Sequence, residues 1–373
     1  MTPAGAAGTV GPVRVVGTGV LGTSIGLGLR AAGVDVVLHD PSRTSLLLAR
    51  DVGAGRLPQD GDPDPRLVVV AAPPDVTPDV VAGELEAWPG AVVTDVASVK
   101  GAVLGPLRSS GADLTRYVGS HPMAGSERSG PTAGRPDLFI GRPWVVVGGP
   151  ESTGDAVLRV RTLATDLGAT PVMLDAGSHD AAVALVSHVP QVAASLVAAR
   201  LVEGDPAALD LAGQGLRDVT RIAASDPALW TSILGANAGA VLPVLRALRA
   251  DLDVVIEALG AADVARDAES VQEGALGTVA AAIAAGNDGV SRIPGKHGGQ
   301  RRAYDVVTVL VPDEPGELAR LLADVGSSGV NVEELQLEHA PSQPVGLASV
   351  SVLRGLRGQL EEVLTGHGWR LAG

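Results

Sequence analysis

The stretch Val-Arg-Val-Val-Gly-Thr-Gly-Val-Leu-Gly-Thr-Ser-Ile-Gly, residues 13–26, decides the fold. A short strand-forming run is followed by glycines in the spacing Gly-x-Gly-x-x-Gly, and a helical pattern follows. Gly17 allows a tight turn, Gly19 lets the backbone approach a pyrophosphate, and Gly22 lets helix and strand pack closely. The N-terminus of the helix would face the phosphates. The stretch therefore predicts a dinucleotide-binding turn whose contacts come from Gly17, Gly19, Val20, Leu21 and Gly22.

An acidic residue ends the second predicted strand. Asp40 follows the run Val36-Val37-Leu38-His39. An acid at this place accepts hydrogen bonds from the ribose hydroxyls of adenosine and repels a 2′-phosphate. We therefore expect NAD to be favoured over NADP, although Arg43 nearby is a feature that suits the phosphate.

Composition narrows the class of protein. The chain has 373 residues, 46% hydrophobic and 19% charged, which indicates a globular protein of two or three domains. A net charge of −14 and an aromatic content of 2% argue against nucleic-acid and membrane-surface binding. The absence of cysteine excludes disulfides and thiolate metal sites. Residues 1–12 lack the basic start of a signal peptide and predict a disordered tail. No apolar run is expected to reach membrane-spanning length, and we expect a cytoplasmic protein.

Residues 13–174 alternate valine-rich runs with helical stretches. Continuous apolar runs separated by helices predict a parallel sheet covered on both faces, an α/β Rossmann domain. The predicted strands are Val13–Val16, Val34–Leu38, Leu67–Ala71, Ala91–Thr94, Tyr117–Gly119, Trp144–Val147 and Pro171–Leu174.

The remainder of the chain changes pattern twice. Residues 175–285 read as alanine- and leucine-rich helices, which predicts an all-α domain that binds substrate and pairs subunits. The glycine-rich, basic residues 286–303 predict a linker. Residues 304–373 read β-α-β-β-α-β, which predicts a small α+β ferredoxin-like domain.

The segment Ser120-His121-Pro122-Met123 places an imidazole where a dehydrogenase needs a base. A residue before proline is pushed toward extended backbone, so His121 should end a strand. Ligands of open α/β sheets lie beyond the carboxyl ends of the strands. His121 is therefore the predicted general base, although a loop histidine with a purely structural role fits the same sequence.

Ser98 follows another predicted strand, in the run Asp95-Val96-Ala97-Ser98-Val99-Lys100. It could cap the next helix. Alternatively, since it lies at the same sheet edge as His121, it could hydrogen-bond that ring or the substrate.

A third group of polar residues lies in the helical region: His179-Asp180, then Ser187-His188-Val189-Pro190-Gln191. Residues 179, 183, 187 and 191 are four apart and share a face of a regular helix. Pro190 should kink that helix. The spacing of the histidines matches no standard zinc motif, so we expect no metal site. Polar residues between packed helices remain the alternative.

A fourth group, Arg217-Asp218-Val219-Thr220-Arg221, precedes Ser225-Asp226-Pro227 and Trp230. Arg217 and Arg221 are one helical turn apart, and a guanidinium offers a planar fork to a carboxylate. Asp218 could orient Arg221, and Asp226-Pro227 predicts a helix start. An exposed ion pair is the alternative.

Together these motifs resemble the prephenate/arogenate dehydrogenase family of tyrosine biosynthesis. The resemblance rests on GTGVLGTSIG, DVASVK, SHPMAGSE, HD with SHVPQ, and RDVTRIAASDPALW, which follow one another along nearly the whole chain. The C-terminal unit, with Pro312-Asp313-Glu314-Pro315-Gly316 after its first strand, resembles an ACT regulatory domain.

The resemblance implies NAD-dependent oxidative decarboxylation of prephenate to 4-hydroxyphenylpyruvate, or the corresponding oxidation of arogenate. It makes His121 the base, Ser98 its partner and Arg221 the binder of the ring carboxylate. It also implies a homodimer. Gly316 lets a ligand approach the backbone closely, and free N–H groups at that helix start suit an amino-acid carboxylate, so we expect tyrosine, ahead of phenylalanine, to bind near Asp313 and Gly316. A unit that serves only as an assembly interface is the alternative. The remaining expected substrate contacts are Ser126, Glu127, Ser187, Gln191, Arg217 and Trp230. Many family members have a histidine where this chain has Gln191.

Two other classes fit parts of the sequence. A β-hydroxyacid or imine dehydrogenase shares the domain pair but relies on a helical-domain lysine, and this chain has no lysine between Lys100 and Lys296. A noncatalytic amino-acid sensor would use the C-terminal domain alone, and the intact fingerprint with Asp40 and His121 argues against it.

Overall fold

The computed structural model describes residues 7–125, 130–264, 274–294, 304–339 and 345–372. The chain divides into two compact units. The first comprises residues 1–203 and 220–247, and the second comprises residues 204–219 and 248–373. This division groups the first helices after residue 175 with the sheet. The domain limits predicted from the sequence, 13–174, 175–285, 286–303 and 304–373, stay predictions.

A seven-stranded sheet forms the centre of the first unit. Its strand order is β2-β1-β3-β4-β5-β6-β7, with β1 between β2 and β3. Val13, Val15, Val69 and Val146 are completely buried because helices cover both faces of the sheet. The strands are β1 (Val13–Val16), β2 (Val36–His39), β3 (Leu67–Val70), β4 (Val92–Asp95), β5 (Tyr117–Pro122), β6 (Pro143–Val147) and β7 (Thr170–Met173).

All the predicted strands are present, but the sheet is mixed where a parallel sheet was expected. Strands β1 to β5 are parallel, whereas β6 pairs with β5 in the antiparallel direction, with His121 opposite Val145. A parallel pair needs a crossover connection, commonly a helix. Between β5 and β6 the described residues form only a 3₁₀ turn, Pro131–Ala133, so the chain returns in the opposite direction.

Five helices belong to the sheet region. They are α1 (Val20–Ala31), α2 (Arg43–Asp51), α3 (Thr77–Ala87), α4 (Gly101–Ser110) and α5 (Gly154–Asp166). Helix α1 starts directly after the turn that follows β1, and α4 follows the loop at the end of β4. The carboxyl ends of β1, β4 and β5 therefore meet at one edge of the sheet.

Helices follow β7, as predicted. They are α6 (Ala176–Val183), α7 (Val189–Arg200), α8 (Pro206–Leu209), α9 (Gln214–Thr220), α10 (Pro227–Ala236), α11 (Ala238–Val264) and α12 (Ala275–Ser291). Residues Ala184–His188 form a π-helical turn between α6 and α7. Pro190 lies in the first turn of α7, so the disruption predicted at this proline takes the form of a wider turn just before it.

The π turn changes which residues face inward. His188 is 1% exposed, whereas Ser187 is half-buried. Because a π turn contains an extra residue, the four-residue spacing that placed Ser187 on the face of His179 and Gln191 does not hold. The expectation that Ser187 shares this face is wrong, and His188 takes that place.

Among the described residues, one helical stretch, Ala176–Glu203, is long and apolar enough to cross a membrane, with a mean hydropathy of 1.6. The bent pair Pro227–Ala236 and Ala238–Asp263 passes the same test only when counted together. The expectation that no run reaches this length is therefore wrong, because the helical stretch continues through Pro190. The stretch includes Asp180, His188 and Gln191, whose hydrogen bonds are made inside the first unit.

The second unit contains a four-stranded antiparallel sheet of order β11-β8-β10-β9. Its β-α-β-β-α-β sequence confirms the predicted order of elements. Val309, Leu321, Val350 and Leu360 are completely buried between sheet and helices. The elements are β8 (Tyr304–Pro312), α13 (Glu317–Ser327), β9 (Glu334–His339), β10 (Val345–Leu353), α14 (Arg357–Gly366) and β11 (Arg370–Ala372).

Two segments predicted as irregular are ordered in part. Residues 1–6 lie outside the described residues, but the N–H groups of Gly8 and Thr9 donate to the carboxylate of Asp166 at 3.3 and 2.7 Å. The tail prediction is therefore wrong for residues 7–12. Helix α12 continues to Ser291, so the linker prediction is wrong at its start, because the alanine-rich helix tolerates Gly286 and Gly289. Residues 295–303 lie outside the described residues.

Candidate active site

The turn between β1 and α1 fits the pyrophosphate of a dinucleotide. Gly17 has a φ of +96°, and a Cβ there would lie 2.4 Å from the carbonyl oxygen of Ala71. A Cβ at Gly22 would lie 1.9 Å from the carbonyl oxygen of Gly17. At Gly19, by contrast, a Cβ would meet open space, which leaves the N-terminus of α1 accessible. The first N–H groups of a helix have no intrahelical acceptor and are suited to an anion.

Asp40 lies directly after β2 and closes the same turn from the other side. Its Oδ2 accepts hydrogen bonds from the N–H and hydroxyl groups of Thr18 at 2.6 and 2.8 Å. Its Oδ1 accepts from the N–H of Ser42 at 2.7 Å. The carboxylate is thus fixed beside the glycine turn, where the sequence placed it.

His121 belongs to a chain of hydrogen-bonded side chains. It is the penultimate residue of β5, which confirms the predicted end of the strand. Its Nδ1 lies 2.9 Å from Nε2 of His179, and Nδ1 of His179 lies 2.8 Å from Oδ1 of Asp180. His179 is completely buried, and the two rings meet edge to face.

The chain of contacts fixes the protonation of both rings. The ionised carboxylate of Asp180 only accepts, so Nδ1 of His179 carries the hydrogen in that bond. In the tautomer that carries its hydrogen on Nδ1, Nε2 of His179 is an acceptor, and Nδ1 of His121 donates to it. The remaining nitrogen of His121, Nε2, therefore presents a lone pair and can accept a proton from a ligand.

The carboxylate at the end of this chain is held in its ionised form. The main-chain N–H groups of Lys100 and Gly101 donate to Asp180 Oδ1 and Oδ2, each at 2.8 Å. Burial by itself raises the pKa of Asp180, but the hydrogen bonds from His179 and from these two N–H groups outweigh it and hold the pKa below its usual value.

The environment of His121 favours the neutral imidazole. Burial holds the pKa of His121 well below its usual value, and the neighbouring His179, Lys100 and His188 lower it further. At neutral pH the ring is therefore a free base rather than an imidazolium.

Ser98 does not have the partner expected for it. His121 uses Nδ1 for His179, and the hydroxyl of Ser98 is buried without a hydrogen-bond partner among the described residues. The expected bond between Ser98 and the His121 ring is therefore wrong for this structure. Helix α4 has its N-cap at Lys100, so Ser98 does not cap it either. A buried hydroxyl without a partner is costly.

A second group of contacting side chains comprises His188 in the π turn, Trp230 on α10 and Asn237 at the C-terminal end of α10. Asn237 Nδ2 donates to the carbonyl oxygen of Asp180 at 2.9 Å and to Nδ1 of His188 at 3.0 Å. The ring of His188 meets that of Trp230 edge to face, with centroids 6.1 Å apart. Trp230 thereby lies beside the residues that surround the His179–Asp180 pair.

Gln191 is buried but weakly held. Its amide has contacts of 3.4 Å to the hydroxyl groups of Ser195 and Ser225. The hydroxyl hydrogen of Ser225 is directed to the carbonyl oxygen of Ile222 at 2.6 Å, which leaves Oε1 of Gln191 without a strong donor from this residue. The amide can therefore turn toward a ligand.

The predicted arginines lie on the surface. Arg221 is exposed and begins a 3₁₀ turn, Arg221–Ala223, that packs against α7. Arg217 is exposed on α9 in the second unit. Asp218 accepts a hydrogen bond from Gln214 at 2.7 Å, and Asp226 caps α10 through the N–H of Ala228, as predicted for that helix start. Ser126 and Glu127 lie outside the described residues.

Sequence reasoning missed the partners of His121. His179 and Asp180 were noted as a pair, but without a role, and Lys100 and Asn237 were given none. The bond between Asp180 and the N–H of Lys100 joins positions 80 residues apart, which no local pattern reveals. The one available signal was the neighbouring His-Asp pair, a common way to orient an imidazole.

Comparisons with known proteins show the family to which the chain belongs. Residues 25–173 match the family model for the prephenate dehydrogenase nucleotide-binding domain. Residues 175–273 match the model for the prephenate dehydrogenase dimerization domain. A protein of Streptomyces niveus named probable prephenate dehydrogenase NovF is 40% identical over 91% of this chain and 93% of its own length. The cyclohexadienyl dehydrogenase of Zymomonas mobilis is 30% identical over 67% of this chain and 89% of its own length.

Solved structures give the same result. Prephenate dehydrogenase from Aquifex aeolicus, in complex with hydroxyphenyl propionate and NAD+, is 25% identical, with a TM-score of 0.62. The match covers 74% of this chain and 97% of that one. Synechocystis arogenate dehydrogenase is 26% identical, with a TM-score of 0.57, over 66% of this chain and 91% of that one. The chain therefore belongs to the prephenate dehydrogenase family and is an NAD-dependent dehydrogenase.

Proposed function

We propose that this protein catalyses the NAD-dependent oxidative decarboxylation of prephenate to 4-hydroxyphenylpyruvate, with His121 as the general base. One observation carries the proposal: the hydrogen bonds from His121 through His179 to Asp180 leave Nε2 of His121 as a free acceptor. This acceptor lies at the carboxyl end of β5. The glycine turn follows the carboxyl end of β1, at the same edge of the sheet.

The proton chemistry follows from the fixed tautomer. Nε2 of His121 accepts the proton of the ring hydroxyl, and the positive charge that develops is stabilised through His179 by the carboxylate of Asp180. Held by the turn after β1, NAD would supply the acceptor for the hydride on the carbon that bears this hydroxyl. The ring carboxylate leaves as carbon dioxide and the ring becomes aromatic, which makes the reaction effectively irreversible.

The cofactor contacts are assigned to the turn after β1. The backbone at Gly17, Gly19 and Gly22 and the first turn of α1, with Val20 and Leu21, would hold the pyrophosphate. Asp40, fixed by Thr18, would accept hydrogen bonds from the adenosine ribose and repel a 2′-phosphate. The unfilled space at Gly19 supports this assignment.

The substrate contacts are proposed from the position of Ser98 beside His121, from the packing against α7 and from the resemblance. The unpartnered hydroxyl of Ser98 would donate to the substrate beside His121. Arg221 would bind the ring carboxylate, supported by the packing of its turn against α7. Further contacts are assigned, by resemblance alone, to Ser126, Glu127, Ser187, Arg217 and Trp230.

Prephenate and arogenate differ at the side chain, a keto acid in the first and an amino acid in the second. Gln191 occupies the position expected to meet that side chain, and a neutral amide both donates and accepts. The loosely held amide of Gln191 need not reject either compound. We favour prephenate as the substrate because the relative that is 40% identical is named a probable prephenate dehydrogenase, and arogenate is the second candidate.

A cytoplasmic homodimer is the proposed form of the enzyme. Residues 175–273 match a dimerization domain, and large apolar side chains in this range are exposed in the single chain. Leu196 is 62% exposed and Ile256 57% exposed, which suits burial against a second copy.

The four-stranded α+β unit is proposed as an ACT regulatory domain that binds tyrosine near Asp313 and Gly316. Gly316 is the N-cap of α13 and has a φ of +98°. Its backbone is exposed, and a Cβ there would meet nothing within 4 Å, which leaves room for an amino-acid carboxylate at the helix start.

The deciding experiment follows NADH formation by absorbance after prephenate or arogenate is added to the full chain with NAD. Product analysis then distinguishes 4-hydroxyphenylpyruvate from tyrosine. Turnover with prephenate supports the proposal, and turnover with arogenate alone selects the second candidate. If NADH forms with neither compound, the proposed substrate is wrong.

A further inference from the structure

Lys100 is a buried lysine at the N-terminal end of α4. Its side chain is 1% exposed, and its Nζ donates to the carboxylate of Asp95, which is 0% exposed, and to the carbonyl oxygen of Ser120 at 2.6 Å. Asp95 is the last residue of β4, and Ser120 immediately precedes His121 in β5. The ammonium group therefore ties two neighbouring strands together at the catalytic edge of the sheet.

The main chain of the same residue contacts the other end of the His121–His179–Asp180 chain. The N–H of Lys100 donates to Oδ1 of Asp180 at 2.8 Å, the oxygen that also accepts from Nδ1 of His179. One residue thus supports the strand that carries His121 and the carboxylate that orients His179.

Stability alone does not account for a buried ion pair at this position. The free energy lost when a lysine and an aspartate are taken out of water is about as large as the free energy gained from their attraction. Replacing such a pair by apolar residues therefore often leaves the stability of the protein unchanged. The carboxylate of Asp95 also accepts from the Tyr117 hydroxyl at 2.6 Å and from the N–H of Ala97 at 2.9 Å. Lys100 is therefore not its only donor.

We propose that Lys100 is a positioning residue for proton transfer at His121: its ammonium group fixes the main chain of β5 next to His121, while its N–H fixes Asp180. The residue touches neither reacting atoms nor cofactor in this role. The titratable groups that act on His121 are Lys100, His179 and His188. The acids beside Lys100 are Asp95 and Asp180. The inference rests on the proposed role of His121 as the base.

The test compares Lys100→Met with the double variant Lys100→Met/Asp95→Asn, which removes both charges of the buried pair. The matched control is Arg116→Met. Arg116 also donates to main-chain carbonyls, those of Leu85, Trp88 and Ala91, but it lies before β5, at the opposite end of the strand from His121.

Two readouts are measured for each variant. The first is the pH profile of kcat/KM with prephenate and NAD. The second is the titration of the His121 ring by NMR in the free protein, assigned with His121→Asn, which requires no substrate.

We expect Lys100→Met and the double variant to lower kcat by about 10- to 100-fold, the cost of a small misplacement of a catalytic group. We also expect the His121 titration to move to higher pH in Lys100→Met, because a nearby positive charge is lost, and to move less in the double variant, which also loses the negative charge of Asp95. Arg116→Met should leave the titration in place. A double variant with wild-type kcat, or Lys100→Met with a wild-type His121 titration, would make Lys100 merely the counter-ion of Asp95, and the inference would be wrong. Inactivity of the wild type with both substrates overturns the proposed function instead, and the NMR titration still tests Lys100.

Discussion

Nδ1 of His121 lies 2.9 Å from Nε2 of His179, and this contact decides which nitrogen of His121 faces the ligand. Because Nδ1 of His179 is committed to Asp180, the hydrogen between the two rings belongs to His121. The basic atom of His121 is therefore Nε2. The positive charge that His121 acquires on taking a proton is stabilised through His179 by Asp180.

Replacing the base tests its role directly. His121→Asn should lower kcat by about 10²- to 10⁴-fold, since an amide cannot accept the hydroxyl proton. Binding of NAD, measured by calorimetry, should survive because His121 lies outside the glycine turn. Near-normal turnover of this variant would show that another group is the base.

Replacing His179, which orients His121, should lower kcat less than replacing His121 itself, but should affect the same proton transfer. His179→Phe fills the same buried space and removes the acceptor for Nδ1 of His121. With the tautomer no longer fixed, kcat should fall by about 10- to 100-fold, while the KM for NAD stays unchanged. If steady-state kinetics show an unchanged kcat, the chain of contacts has only a structural role.

The surroundings of His121 and His179 show which features of the site could be predicted from the sequence and which could not. The fingerprint, the strand ends and Asp40 follow local rules of periodicity and turn chemistry, and the structure confirms where they lie. The link from Asp180 to Lys100 depends on packing between α4 and α6. The antiparallel direction of β6 depends on how the chain returns after β5, and the π turn before Pro190 moves His188 inward. None of these three features leaves a periodic signal.

The lowered pKa of His121 predicts the pH dependence of the reaction. The active form is the neutral ring, so kcat/KM should stay level through neutral pH and fall only well below the usual histidine value of about 6.5. The measurement is the pH profile of kcat, with prephenate and NAD in excess, and of kcat/KM, with prephenate below its KM. A kcat/KM profile that already falls between pH 7 and 6.5 would contradict the prediction.

The same shifts predict a loss of stability in acid. The pKa values of His121 and His188 are lowered in the folded state, chiefly by burial, so the unfolded chain binds more protons below about pH 6.5. Their contribution to the free energy of unfolding is therefore fully present above that pH and is lost as the pH falls toward the folded values. Urea unfolding at a series of pH values should show this decline, and it should be weaker in His121→Asn.

Gln191 should influence the choice between prephenate and arogenate. The ammonium of arogenate can donate to Oε1 of glutamine, whereas an imidazole N–H or imidazolium would repel it. Gln191→His should therefore shift the ratio of kcat/KM values toward prephenate by about tenfold, or about 1.4 kcal/mol. Gln191→Glu should shift it toward arogenate. A ratio that is the same in all three proteins would show that Gln191 does not meet the side chain.

Tyrosine should inhibit the enzyme through the four-stranded unit. Gly316→Ala places a side chain at a φ of +98°, a backbone region that L-residues rarely adopt, so the start of α13 should shift and weaken the inhibition by tyrosine. Gly329→Ala is the matched control, because Gly329 also has a positive φ, +68°, with open space around its Cβ, but lies after α13. The measurement is turnover against tyrosine concentration for the wild type and both variants. Coupling of a typical 1–3 kcal/mol implies about a 5- to 150-fold change in affinity between the two states of the enzyme. Inhibition that is equal in the three proteins and competitive with prephenate would instead place tyrosine in the active site as a mimic of the product.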